Sequence, residues 1–352
     1  MKPCLFLLFI TLVIFSCGKK LVVNPKIISK VEIKHLIEDS LLNIRAIALD
    51  EKGHLNFATS NGEIGSSFFD SKREIMSFNF QLKHDSIIPN FRSIAITNKA
   101  GFVLSIESPA LLYKIDNDSI RLVYQENHSK AFYDSMDFWN DKEGIAIGDP
   151  TDGCISIIIT RDGGESWTKL SCNNLPKAKA GEAAFAASDT NIAIVGDHTW
   201  VATGGKASRV LYSPDKGKTW QVFDTPIVQG LETTGIYSID FYDALNGFAI
   251  GGDYTKPDDN TANKIRTSDG GKTWQLVATN KGPGYRSCVQ YVPNRKGQEL
   301  VAIGFNGIDY SNDAGTSWKH ISDEPYYTLR FLNDSIAYAA GAGRISKLTY
   351  KE

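Results

Sequence analysis

Long charge runs are missing from this 352-residue chain: 38 Lys plus Arg face 40 Asp plus Glu, the formal net charge is -2, and no five like charges stand together. A nucleic-acid groove or an acidic tail therefore has nothing to be built from. Proline is scarce, at 12 residues against 30 Gly, which excludes collagen-like and proline-rich chains. The six His, at 35, 54, 84, 128, 198 and 320, show no metal-ligand spacing. No Gly-x-Gly-x-x-Gly follows a strand pattern, and Cys-x-x-Cys and haem-attachment motifs are absent, so neither a metal nor a cofactor is expected. What is present is 42% apolar and 11% aromatic residues, enough for a sizeable core in one large or two average domains.

Long apolar runs are also missing, except at the start. Residues 4–16 (CLFLLFITLVIFS) form a 13-residue run behind Lys2, short for a bilayer span but suited to a signal-peptide core. The run ends at Ser16-Cys17, which resembles the lipobox of bacterial lipoproteins. The resemblance implies a signal peptide over 1–17, lipidation of Cys17, a tether over 18–30, and a cell-envelope protein facing the periplasm, held by its lipid at the membrane, outer rather than inner. Cys154, Cys172 and Cys288 then remain. Cys154 and Cys172 are equidistant from Gly163, so a hairpin turning there would set them opposite each other; whether they form a disulfide stays open. Cys288 reads as a buried thiol.

The chain repeats itself, and the repeat decides the fold class. Thr160-Arg-Asp162-Gly-Gly164-Glu-Ser166-Trp167 recurs around Asp215 and Trp220, Asp269 and Trp274, and Asp313 and Trp318. The shared pattern, [ST]-x-D-x-G-x-[ST]-W, resembles the Asp-box of bacterial neuraminidase-type (BNR) repeats. Its chemistry is that of a structural turn: Asp and Ser/Thr cap backbone amides, Gly takes positive φ, and Trp anchors the returning strand. One Asp per loop is too few oxygen ligands for calcium.

Around each box, apolar alternation marks four strands. Units begin at Arg45-Ala-Ile-Ala, Arg92-Ser-Ile-Ala, Asp134-Ser-Met-Asp-Phe, Glu182-Ala-Ala-Phe, Tyr237-Ser-Ile-Asp-Phe, Arg286-Ser-Cys-Val and Thr328-Leu-Arg-Phe. In the fourth unit both Ile192–Val195 and Trp200–Thr203 are patterned as its second strand. The first two units lack the box, with Phe68-Phe69-Asp70-Ser71 and Lys114-Ile115-Asp116-Asn117 in its place. The last unit is one strand short, and the alternation over 31–37 can supply it. The expectation is all-β: a single seven-bladed β-propeller over 31–350, about 46 residues per blade.

In organisation the chain resembles the photosystem II stability/assembly factor-like propellers, and more closely bacterial lipoproteins of that architecture that often carry an oxidoreductase label. The resemblance rests on Asp134-Ser-Met-Asp-Phe-Trp139 with Gly148-Asp149-Pro150, Gly181-Glu-Ala-Ala-Phe-Ala-Ala-Ser188, Thr203-Gly-Gly205 and Gly251-Gly-Asp253. It implies a scaffold for binding or assembly. No residues support the oxidoreductase label.

Propeller topology assigns the faces. Residues opening the innermost strands surround one channel mouth, and the boxes lie on the opposite face. The mouth is expected to collect Arg45, Arg92, Asp134, Glu182, Tyr237 and Arg286, with Asp149 and Asp253 from nearby loops. Two readings stay open: a site for an acidic group, since guanidinium forks bind carboxylates bidentately, or a ring of salt bridges that plugs the channel. The site reading gives a non-enzymatic binder of a protein partner or acidic envelope glycan. The alternative is a sialidase-like hydrolase with Tyr237 as nucleophile, Glu182 as its partner and Asp134 as acid/base. Against it, the Arg-Ile-Pro signature of sialidases is missing.

Overall fold

The computed structural model describes residues 27–70, 73–116 and 119–352; Cys17 and most of the tether lie outside the described residues, as do Ser71 and Asn117 of the degenerate boxes. Every regular element described is an antiparallel strand except one short 3-10 turn at Cys172–Asn174.

Seven innermost strands form a ring: the second half of Lys30–Leu49, then Phe91–Ile96, Tyr133–Phe138, Ile192–Val195, Thr234–Phe241, Cys288–Tyr291 and Thr328–Phe331. Each contacts the next, and the seventh returns to the first. From each, three further strands step outward; blade 6, for instance, runs Cys288–Tyr291, Leu300–Gly304, Gly307–Ser311, Lys319–Ser322. Blade 7 takes its outermost strand from the other end of the chain. Val31 pairs with Tyr350, Ile33 with Leu348 and His35 with Ser346, so the first half of Lys30–Leu49 closes the ring.

The apolar alternation is spent between blades. Phe102 and Leu112 of blade 2 meet Met136 and Ile158 of blade 3. Val301 and Ile308 of blade 6 meet Leu329 and Leu348 of blade 7. A similar buried cluster fills each of the other five interfaces, so every blade is buried on both faces.

The boxes are the turns between third and fourth strands. In the third, Thr267 Oγ1 donates to Asp269 Oδ1 (2.8 Å), Thr273 Oγ1 to Asp269 Oδ2 (2.6 Å), and the Gly271 amide to Thr267 Oγ1 (3.0 Å). The same bonds recur at Asp162, Asp215 and Asp313. Gly271, at φ +83°, lies against the Trp200 indole of the preceding blade; Gly164, Gly217 and Gly315 likewise press on Phe102, Ile159 and Phe248. Each box thus locks its blade to the one before. Trp220, Trp274 and Trp318 donate their indole N–H to the box glycine carbonyl, while Trp167 instead packs edge-on to Phe102 and Phe138.

Cys154 and Cys172 are bridged, with Cα atoms 5.5 Å apart. The link lies beyond the last paired residues of the hairpin, where the returning chain turns into Cys172–Asn174.

Blade 4 corrects the sequence reading. Its innermost strand is Ile192–Val195, paired with His198–Ala202; Glu182–Ala183 is only a two-residue strand against Gly204–Gly205. The inner position requires residues that pack both ways, and Ile192 meets blade 3 while Ala193 meets blade 5. Residues 184–190, small and polar except for Phe185, go elsewhere.

Candidate functional site

Residues 184–190 cross the central channel and plug it. A chain lying there has no ladder of its own, so its polar groups must be met by the blades. Arg45 Nη1 of blade 1 donates to the Ala187 carbonyl (3.1 Å), and Arg92 Nη1 of blade 2 to the Ala186 carbonyl (3.2 Å). Asp189 accepts from Ser93 Oγ, the Ile94 amide and the Met136 amide of blades 2 and 3. The Ile239 amide bonds the Thr190 carbonyl, Ser188 Oγ donates to the Ser287 carbonyl, and Thr328 Oγ1 and Arg330 Nη2 bond the Ser188 and Asp189 carbonyls. All six other blades hold the plug.

The expected mouth cluster is only partly assembled. Arg45 and Arg92 do come together, close enough that Arg45 adds to burial in lowering the Arg92 guanidinium to about 10. Arg45 lies over the Tyr327 ring, 3.8 Å from its centre, and Arg92 Nε bonds Asn90 Oδ1. Neither forms an ion pair with a carboxylate among the described residues, although Glu107 and Asp134 lie within electrostatic reach of Arg92.

Arg286 does not join them. It is buried and paired with Asp309 of its own blade, Nε at 2.7 Å, and its other N–H groups bond the Tyr285 and Asn306 carbonyls. Three converging arginines are therefore not what the fold builds. Glu182, expected to open an inner strand, is instead buried against Arg209, with Nε 3.0 Å from Oε1 and Nη2 2.5 Å from Oε2; Thr203 Oγ1 and the Lys179 amide complete its shell.

Asp134 is fully buried, and the Ala186 amide approaches it without closing a hydrogen bond. Burial first, then neighbouring Asp149, push its carboxyl well above the usual range. Asp149 accepts the Ala184 amide at 2.8 Å and is pushed up to about 6 by burial. Asp253 is consumed by the Thr255 amide and hydroxyl. Tyr237 is buried, donates to the Thr233 carbonyl (2.9 Å) and stacks on Phe185 of the plug at 4.0 Å. Among the described residues no hydrogen bond links Tyr237, Glu182 and Asp134 to one another.

Sequence reasoning missed three features. The plug is one; its signal was the lack of strand alternation over 184–190. A second is an aromatic shelf on the mouth face. Tyr285 meets Tyr237 edge-on at 4.8 Å and stacks on Phe305 at 5.2 Å, and Tyr254 stands edge-on to both tyrosines. The third is a cavity of about 430 Å³ at the box-side end of the channel, lined among others by Asp137, Asp189, Asp240, Gln290 and Arg330. Burial pushes Asp137 up to about 6 and Asp189 and Asp240 up to about 7. Among the described residues no cluster of three or more His, Cys, Asp or Glu is arranged to hold a metal.

No family model and no curated protein matches the chain. Solved structures do. A structure of YCF48 bound to D1 peptide superposes with a TM-score of 0.63 at 13% identity, covering 93% of this chain and 99% of that one. YCF48 from Cyanidioschyzon merolae gives 0.62 at 11%, covering 92% and 99%. A virginiamycin B lyase from Staphylococcus aureus with quinupristin gives 0.58 at 11%, covering 91% and 99%. The fold is thus a propeller similar to that of YCF48, and at these identities the likeness extends to the fold alone.

Proposed function

We propose that this propeller is a non-catalytic scaffold that binds a polypeptide partner at its plugged mouth, through a carboxylate of the partner held by Arg45 and Arg92. One observation carries the reading: two neighbouring, half-buried guanidinium groups that bond plug carbonyls and form no ion pair among the described residues, with Glu107 and Asp134 near Arg92 but outside contact distance. Like charges so placed repel each other, and an anion between them relieves the repulsion while gaining charge-assisted hydrogen bonds of about 1.5–3 kcal/mol each. A propeller of similar fold with a bound peptide, YCF48 with D1 peptide, supports a polypeptide as occupant. No observation favours the glycosidase alternative, since Tyr237 and Glu182 are each committed to other partners.

The proposal includes export and anchoring at Cys17, supported by the apolar run and the Ser16-Cys17 ending. Retention of a membrane polypeptide by the wild-type chain and its loss with Arg45→Gln/Arg92→Gln is the expected result; equal retention by both refutes it. Cys17→Ser is expected to release the chain from membranes.

A further inference from the structure

The aromatic shelf and the arginine pair are neighbours on the mouth face. Tyr285 of the shelf is within electrostatic reach of Arg45, and Arg45 in turn lies over Tyr327. Beyond Arg92 the surface continues. Glu107, within reach of Arg92, also lines an open groove of about 830 Å³ whose walls include Lys130, Phe132, Pro150 and Gly181. The mouth face therefore carries an apolar platform, a cationic centre and a mixed groove in sequence, from blades 5 and 6, over blades 1 and 2, to blade 3.

The shelf is exposed where a ligand would touch it. Tyr254 is 48% and Phe305 37% exposed, while Tyr237 and Tyr285 beneath are 3% and 4% exposed and fix their rings. Rigid aromatic groups of this kind, set beside a desolvated cationic centre, form the anchor type that dominates binding energy at protein interfaces. The groove on the far side is open to solvent, which gives a chain lying over the arginines room to run on past them.

Resting on the partner-binding reading above, we propose that the mouth face takes an internal, extended segment of a partner polypeptide in which an aromatic or large aliphatic residue stands near an Asp or Glu. The apolar side chain lies on Tyr254 and Phe305, the side-chain carboxylate on Arg45 and Arg92, and the backbone runs on into the groove. Charge complementarity selects the carboxylate, and the open groove gives the chain room to continue beyond it, which suits an internal segment.

The test is panning of a displayed library of random dodecapeptides, flanked on both sides, against the immobilised full chain. Three targets are compared: wild type, the shelf variant Tyr254→Ser/Phe305→Ser, and Arg45→Gln/Arg92→Gln. The shelf side chains are exposed, and unchanged thermal unfolding of that variant shows that it folds. The expected result is a wild-type consensus pairing an aromatic or large aliphatic residue with an acid. The shelf variant should lose the apolar preference while keeping the acidic one, with at least about tenfold weaker affinity for selected peptides. A consensus that needs the arginines but is indifferent to the shelf variant overturns this inference and leaves the partner-binding reading standing. Peptides indifferent to both variants, or no enrichment alongside retention of carboxylated oligosaccharides, overturn both.

Discussion

Asp137→Asn is expected to stabilise the protein above neutral pH. Asp137 accepts the Phe138 amide through Oδ1, and its carboxyl is pushed up to about 6 because burial in the box-side cavity outweighs the attraction of Arg330. The unfolded chain titrates near 3.8, so the folded state binds the proton more tightly. The sign follows. The contribution of Asp137 to stability is fully present below 3.8 and is lost as pH rises through about 6, because the ionised group must then be kept in the cavity. Each pKa unit corresponds to about 1.4 kcal/mol, and water in the cavity reduces the nominal cost, leaving about 1–2 kcal/mol at pH 8. Asparagine retains the acceptor for the Phe138 amide and removes the charge. Urea unfolding at pH 8 should show the variant more stable by about 1–2 kcal/mol, and at pH 4 the gain should vanish. Any local repacking is common to both pH values, so the difference isolates the charge. A variant that is less stable at pH 8, or equally displaced at both, refutes the reasoning.

Arg286→Gln should cost about 3 kcal/mol in denaturant unfolding, because buried Asp309 loses its guanidinium and keeps only His320 at 3.1 Å, whereas Arg45→Gln, which loses one carbonyl bond and the Tyr327 ring contact, should cost about 1–2 kcal/mol. Gly271→Ala should lower stability by about 2 kcal/mol or more, since a methyl would meet the Trp200 indole nitrogen at 2.9 Å from a backbone at φ +83°; differential scanning calorimetry reads it out. Loss of the Cys154–Cys172 bridge by the double serine variant should cost about 3 kcal/mol for a loop spanning 18 residues, matched by the effect of reductant on the wild type.

The four boxes were legible because their physics is local: Asp269, Thr267, Gly271 and Thr273 interact within seven residues, so spacing alone reveals the turn. The blade count was legible because the same pattern repeats. Blade 4 was misread because Glu182-Ala-Ala-Phe resembles a strand start, while the competition that excludes it from the ring is three-dimensional. Ile192 and Ile194 pack against blade 3 while Ala193 and Val195 pack against blade 5. The fate of the mouth charges was illegible for a related reason. Arg286 finds Asp309 through the register of three strands, and Glu182 finds Arg209 across its short pairing with Gly204–Gly205. Linear order shows which charges exist and leaves open which cancel.

That cancellation narrows where a ligand can act. Arg286 and Glu182, expected to shape the mouth, are each neutralised by a buried partner, and breaking either pair to greet a ligand would cost several kcal/mol. Asp134, the acid nearest in role to a counterion for Arg92, is buried beside Asp149 and so held toward its neutral form. Burial thus weakens it as a counterion for the guanidinium. The plug carbonyls of Ala186 and Ala187 are dipoles, which orient Arg45 and Arg92 without discharging them. On the reading proposed above, Arg45 and Arg92, which form no ion pair among the described residues and have Glu107 and Asp134 only at electrostatic reach of Arg92, are the two cations that an incoming carboxylate would complete.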